Sequence, residues 1–118
     1  MLTIRPLVLA LLFGLVTVTL AACGGGSNVQ VSWAANRETA VNSLGGGYKV
    51  YFSKTAGFDV ATASSADVPF KSAPAAPTSA TLRDLSSGTY FIKVVAYSAV
   101  GGRTSSSTPS MEISVTVP

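Results

Sequence analysis

The sequence predicts an all-β protein, built as an antiparallel β-sandwich, and two observations carry that prediction. From residue 29 onward, apolar and polar side chains alternate in short runs rich in Val, Ile, Tyr and Phe, the pattern of half-buried strands. Clusters of Gly, Pro and Ser separate the runs, and no stretch of this region sustains a helical period. Short strands at this spacing pack as two antiparallel sheets.

The strands follow in order. Val29, Val31 and Trp33 point one way, with Gln30 and Ser32 the other. Tyr48, Val50 and Phe52 form a second stripe, opposed by Lys49, Tyr51 and Ser53. Residues 79–82 are a short strand. Tyr90, Ile92, Val94 and Ala96 make the longest stripe, opposed by Phe91, Lys93, Val95 and Tyr97. Met111, Ile113, Val115 and Val117 alternate with Glu112, Ser114 and Thr116. Gly45-Gly46-Gly47 reads as a flexible lead-in to the second strand, and no Gly-Lys-Ser/Thr follows to make it a phosphate loop.

The N-terminus has a different character. Arg5 is the charged residue of the first six, residues 7–20 are apolar apart from Thr17 and Thr19, and Ala21, Ala22 and Cys23 follow. Charge, apolar run and small residues in this order make a secretory signal. Fourteen residues fall short of the roughly 20 that a permanent membrane helix needs. Ordinary cleavage after Ala22 would leave the bulky Leu20 at a position that wants a small residue. Leu20-Ala21-Ala22-Cys23 instead resembles the lipobox of bacterial lipoproteins. That resemblance implies that the Cys23 thiol takes a diacylglycerol, that residues 1–22 are cleaved, and that two or three fatty chains such as palmitate anchor the protein.

The cysteine count agrees with this reading. Cys23 is the single Cys of the chain, and acylation accounts for an odd thiol in an exported protein. Two or more fatty chains give stable attachment where one is marginal. Gly24 stands where an inner-membrane retention signal would place Asp, so the resemblance points to an envelope location at the outer membrane. Residues 23–28 are then the lipidated Cys and a Gly-rich tether, whose five residues after Cys23 reach at most about 17 Å. Residues 29–118 are one domain.

Within that domain, Val29-Gln30-Val31-Ser32-Trp33, Gly47-Tyr48-Lys49-Val50-Tyr51-Phe52 and Leu82-Arg83-Asp84-Leu85-Ser86-Ser87-Gly88-Thr89-Tyr90 resemble strands B, C and the E–F corner of a fibronectin type III domain. Ile92-Lys93-Val94-Val95-Ala96-Tyr97-Ser98 is similar to its strand F, and residues 111–117 to its strand G. The resemblance implies a fibronectin type III or immunoglobulin-like sandwich. The corner is one residue shorter than usual, and Tyr90 is assigned to it because it is in phase with Ile92 and Val94. Strand A is missing, since a glycine tether precedes Val29, which leaves strand B as an edge. The chain then enters at the pole where strand G ends. The connections 35–47, 71–78 and 99–108 gather at the opposite pole.

Inventory argues against catalysis. The chain has no His, and its five carboxylates are widely spaced, so the common general base and the usual zinc ligands are lacking and no metal or cofactor is expected. Seven basic side chains outside the leader face those five acidic ones and form no stripe, which speaks against nucleic acid. The candidate partner-binding residues are Tyr51, Phe91, Val95 and Tyr97, which alternation turns away from the core beside Lys49 and Lys93. Arg37, Glu38, Asn42 and Arg103 in the far-pole loops are further candidates, with Asn36 beside them. The reading is a membrane-anchored envelope lipoprotein whose non-catalytic module recognises a protein or glycan. The alternatives are a structural subunit anchoring an envelope, secretion or appendage assembly, and an accessory module of a polysaccharide-processing system.

Overall fold

The computed structural model describes residues 16–23, 26–36, 38–73, 75–100 and 103–118, with side chains from residue 27 onward except that of Val100. Its strands are β1 (Val16–Cys23), β2 (Gly26–Trp33), β3 (Gly47–Ser53), β4 (Ser64–Pro69), β5 (Ser79–Leu85), β6 (Gly88–Val100), β7 (Arg103–Ser106) and β8 (Ile113–Val117), with a 3-10 turn at Val60–Thr62. One sheet runs β1-β2-β5. The other runs β4-β3-β6-β7, with β8 also on β6. Every pairing is antiparallel. The fold is an antiparallel sandwich consistent with the fibronectin type III and immunoglobulin-like arrangement.

The core lies between the sheets, where the inward phase of each strand meets. Val29, Val31 and Trp33 of β2 and Leu82 and Leu85 of β5 face Tyr48 and Val50 of β3 and Tyr90, Ile92, Val94 and Ala96 of β6. The alternation of β2, β3 and β6 thus settles which face is buried, because a one-residue slip would turn every apolar side chain outward. Tyr90 takes the corner place: its hydroxyl donates to the Ser86 carbonyl at 3.1 Å, back across the turn between β5 and β6. Asp84 has φ 55° and its N–H donates to Asn28 Oδ1, where the β2–β5 register shifts between Ser27 and Val29. The extra residue lies on β5, so this strand runs past the expected residue 82 to Leu85 by way of a bulge.

The last strand is split. β7 pairs with Tyr97 to Val100 and β8 with Gly88 to Ile92, both along the side of β6 away from β3. Pro109 lies between them and has no N–H to give to a ladder. Serines fill the gap instead: Ser107 and Ser110 donate their N–H groups to the carbonyls of Ala96 and Val94, and their hydroxyls accept from the N–H groups of the same two residues. Met111 therefore belongs to no strand stripe. It is 83% exposed, which corrects its expected place beside Ile113.

The start of β2 and the end of β8 lie at one pole, as expected, whereas the expected connection 99–108 is mostly strand, with β6 running to Val100 and β7 spanning Arg103–Ser106. Ser27 pairs with Leu85, Gly88 pairs with Val117, and Leu85 and Gly88 flank one tight turn, so the start of β2 and the end of β8 share a pole. At the other pole the loop 34–46 and the connection 70–78 touch through Asn42 Oδ1, which accepts from the Ala76 N–H at 2.9 Å. The edge of β2 differs from expectation in the full chain. Val16–Cys23 pair along it as β1, so the strand expected to be missing from this edge is present. Gly26, Ser27 and Asn28, expected in a tether, belong to β2. Residues 1–15, and Gly24 and Gly25, lie outside the described residues.

Candidate binding face

The outward phase of β3 and β6 carries Lys49 and Tyr51, and Val95 and Tyr97. Pairing of Lys49 with Val95, and of Gly47 with Tyr97, brings them side by side. β4 adds Asp67 opposite Lys49, and β7 adds Ser106 opposite Tyr97 with Thr104 two residues away. Together these seven residues line an open groove of about 410 Å³ across β4, β3, β6 and β7. Volumes of a few hundred Å³ with an apolar body and a few polar groups are usual for ligand sites.

Gly47 makes the groove possible. A Cβ there would meet the Val68 carbonyl oxygen and lie 2.9 Å from the Tyr97 hydroxyl, and φ is +152°. The bare backbone lets Tyr97 lie across β3 from β6 to β4, where its hydroxyl donates to Asp67 Oδ1 at 2.7 Å. Burial raises the Tyr97 pKa far above its ordinary value, and the hydrogen bond to Asp67 and its negative charge add to the rise. The hydroxyl therefore stays protonated at neutral pH and holds the Asp67 carboxylate in place. The Lys49 side chain has neither an ion-pair nor a hydrogen-bond partner among the described residues. The groove thus offers two phenol rings, a fixed carboxylate, an uncommitted ammonium and two hydroxyls.

The raised pKa has a signed consequence for stability. In the unfolded chain Tyr97 loses its proton near pH 10, before the folded form does. The contribution of this group is therefore intact below about pH 10 and declines as pH rises above it, since the unfolded state then binds fewer protons. Asp67→Asn should let Tyr97 ionise at lower pH in an absorbance titration and should shift alkaline unfolding upward. An identical tyrosinate titration in wild type and variant would contradict the contact.

The structure brings only part of the expected set together. Tyr51, Val95 and Tyr97 share the groove. Val95 is 5% exposed, a floor beneath the aromatic rings, so its expected place on an exposed patch is corrected. Phe91 is half-buried at the other end of β6, opposite Ser53 and Ser114 and outside the groove lining. Lys93 is committed: its Nζ donates to the Phe58 carbonyl at 2.7 Å, lies 4.6 Å from the Phe58 ring centroid and 3.7 Å from Glu112.

The loop candidates divide similarly. Asn36 is 1% exposed, its N–H donating to the Tyr48 hydroxyl and its Oδ1 accepting from the Glu38 N–H. Asn42 Nδ2 donates to the carbonyls of Asn36 and Glu38. These amides hold the loop in shape, which is a structural role. Glu38 is half-buried and Arg103 is exposed on β7. Arg37 lies outside the described residues. Asp67, Thr104 and Ser106 escaped sequence reasoning because β4 and β7 did. Ala66 and Val68, alternating with Ser65 and Asp67, were the signal for β4, whereas the stretch 103–106 holds no apolar residue at all.

Among the described residues no group of three or more Cys, Asp or Glu is placed to hold a metal ion. No helix among them is long and apolar enough to cross a membrane. No protein-family model matches the chain, and no curated protein does.

Proposed function

We propose that the chain is an envelope lipoprotein, anchored through Cys23, whose sandwich is a non-catalytic module that binds a protein or glycan through the groove between Tyr51 and Tyr97. The observation that carries the binding reading is the groove itself: aromatic faces beside a fixed carboxylate, a free ammonium and two hydroxyls, on a rigid sheet. Such a set grips a ligand with both apolar and hydroxyl-bearing surfaces, and supplies no nucleophile with an adjacent base. The anchor reading rests on residues 1–23 of the sequence. The shared pole of β2 and the end of β8 then faces the membrane, while the groove runs along the side of the domain.

The test is a double substitution. Tyr51→Ser with Tyr97→Ser removes both rings from the outer face and leaves the core stripes untouched. The variant should fold, with a far-ultraviolet spectrum like that of wild type. It should lose retention in gels containing soluble envelope polysaccharides, or crosslinking to envelope proteins, whichever wild type shows. Equal retention and crosslinking by wild type and variant would remove the groove from the function.

A further inference from the structure

β1 is the strand that processing would take away. It lies along the outer edge of β2 through eight residue pairs, from Val16 opposite Trp33 to Cys23 opposite Gly26. It also approaches β8, the last strand of the other sheet. β1 therefore closes one side of the sandwich. Cleavage before Cys23 would remove all of β1 but its final residue and open that side.

The strands facing the opening carry none of the usual guards. Edges of sheets are ordinarily kept from pairing with other chains by charged side chains, Pro or bulges. β2 and β8 contain no charged residue and no Pro. The remaining outer strands do carry such devices: Asp67 and Pro69 in β4, Arg83, Asp84 and the bulge in β5, and Arg103 in β7. The unguarded strands are the two that β1 touches. Left open on a displayed domain, such an edge is an aggregation site.

We infer that in the processed protein this edge accepts a β-strand from another envelope protein. The strand runs antiparallel to β2 and is uncharged and rich in β-branched residues, like the Val-Thr-Val-Thr-Leu-Ala-Ala segment it replaces. Main-chain hydrogen bonds supply the affinity and the alternating side chains the selectivity, as in other strand additions. A second copy is the poorer occupant. Antiparallel pairing of two β2 strands would put the two Cys23 anchors at opposite ends of the joined strands, about 25 Å apart along them. Since β2 leads away from its anchor, one lipid would point away from the membrane. This inference rests on the lipoprotein reading, because only cleavage before Cys23 exposes the edge.

The experiment uses the protein extracted from membranes in detergent, its N-terminus established by mass. Hydrogen exchange at β2 is followed with and without a synthetic peptide of residues 16–22, and with the same peptide carrying Val18→Lys. The expected result is fast exchange at alternate β2 amides of the protein alone, slowed about tenfold or more by the first peptide and not by the second. A processed protein whose β2 amides are already protected as a monomer, or remain unprotected with peptide, overturns the inference and leaves the lipoprotein reading standing. Protection that grows with protein concentration, without peptide, makes the occupant a second copy and overturns it too. A chain that retains residues 1–22 overturns the lipoprotein reading, and this inference with it.

Discussion

Trp33→Ala should destabilise the protein by about 3–5 kcal/mol, the range for truncating a large buried aromatic side chain. Trp33 is 6% exposed and ends the inward stripe of β2, where its ring meets that of Tyr48 edge-on, with centroids 5.2 Å apart and planes at 62°. The pair joins the two sheets at the pole of the long loops. The Tyr48 hydroxyl in turn accepts from the Asn36 N–H at 2.7 Å. Removing the indole would therefore leave a cavity between the sheets and loosen the tyrosine that holds the loop 34–46 in place. Burial pushes the Tyr48 pKa up, with the hydrogen bond from the Asn36 N–H acting the other way, so this tyrosine stays neutral in the core. A loss of that size is a large part of the roughly 5–15 kcal/mol that holds a typical domain together. In a domain of about 100 residues it should lower the melting temperature by more than about 10 °C. A melting temperature within a degree or two of wild type would place Trp33 outside the core.

Gly46→Ala should cost about 1–3 kcal/mol or more, although adding a methyl group looks mild. Two effects of opposite sign compete. Replacing Gly by Ala restricts the unfolded chain and can stabilise by about 0.4–1 kcal/mol where the native site has room. Here it has none. A Cβ on Gly46 would overlap the carbonyl oxygens of Ala40 and Val41. Those carbonyls cannot simply retreat. The turn that carries them is held by N–H donations from Val41 and Asn42 to the Glu38 carbonyl, and by Asn42 Nδ2 on the carbonyls of Asn36 and Glu38. Gly46 itself is held on both sides, its N–H donating to the Ser43 carbonyl and its carbonyl accepting from the Phe70 N–H, each at 2.9 Å. Overpacking at such a site exceeds the entropic gain. Chemical denaturation of the variant should show a lower midpoint with an unchanged slope. A midpoint at or above that of wild type would mean that the loop yields.

These residues also show how much the sequence revealed. β2, β3 and β6 were legible because each alternates strictly with β-branched or aromatic residues on the buried face. The corner tyrosine could be chosen by phase alone. β4 and β7 are harder to read: within Ser64–Pro69 only the short Ala66–Val68 alternation marks a face, and Arg103–Ser106 holds no apolar residue. Their pairing is enforced by the neighbouring β3 and β6. The split of the last strand depends on two serine hydroxyls accepting from backbone N–H groups, a role that serine composition does not announce.

The same cause limited the site. Alternation identifies Tyr51, Tyr97 and Lys49, but the carboxylate and the hydroxyls opposite them sit on β4 and β7. Val95 was misjudged because alternation gives the face and not what covers it. The Gly45-Gly46-Gly47 run looked flexible, since nothing local shows that a loop turn packs against it. Asn36 and Asn42 looked presented to solvent for the same reason. Their partners lie as far away as Tyr48 and Ala76.

The proposed binding face and the proposed open edge of β2 both depend on a folded domain carried on a lipidated Cys23, with residues 1–22 removed. The direct measurement is the mass of the N-terminal peptide of the protein recovered from its native membrane fraction. The expected peptide begins at Cys23 and carries a diacylglycerol on the thiol, and it is absent from a Cys23→Ser variant, which accumulates as the longer precursor. A peptide with an unmodified Cys23 thiol, or one that still contains residues of β1, would contradict the lipid anchor.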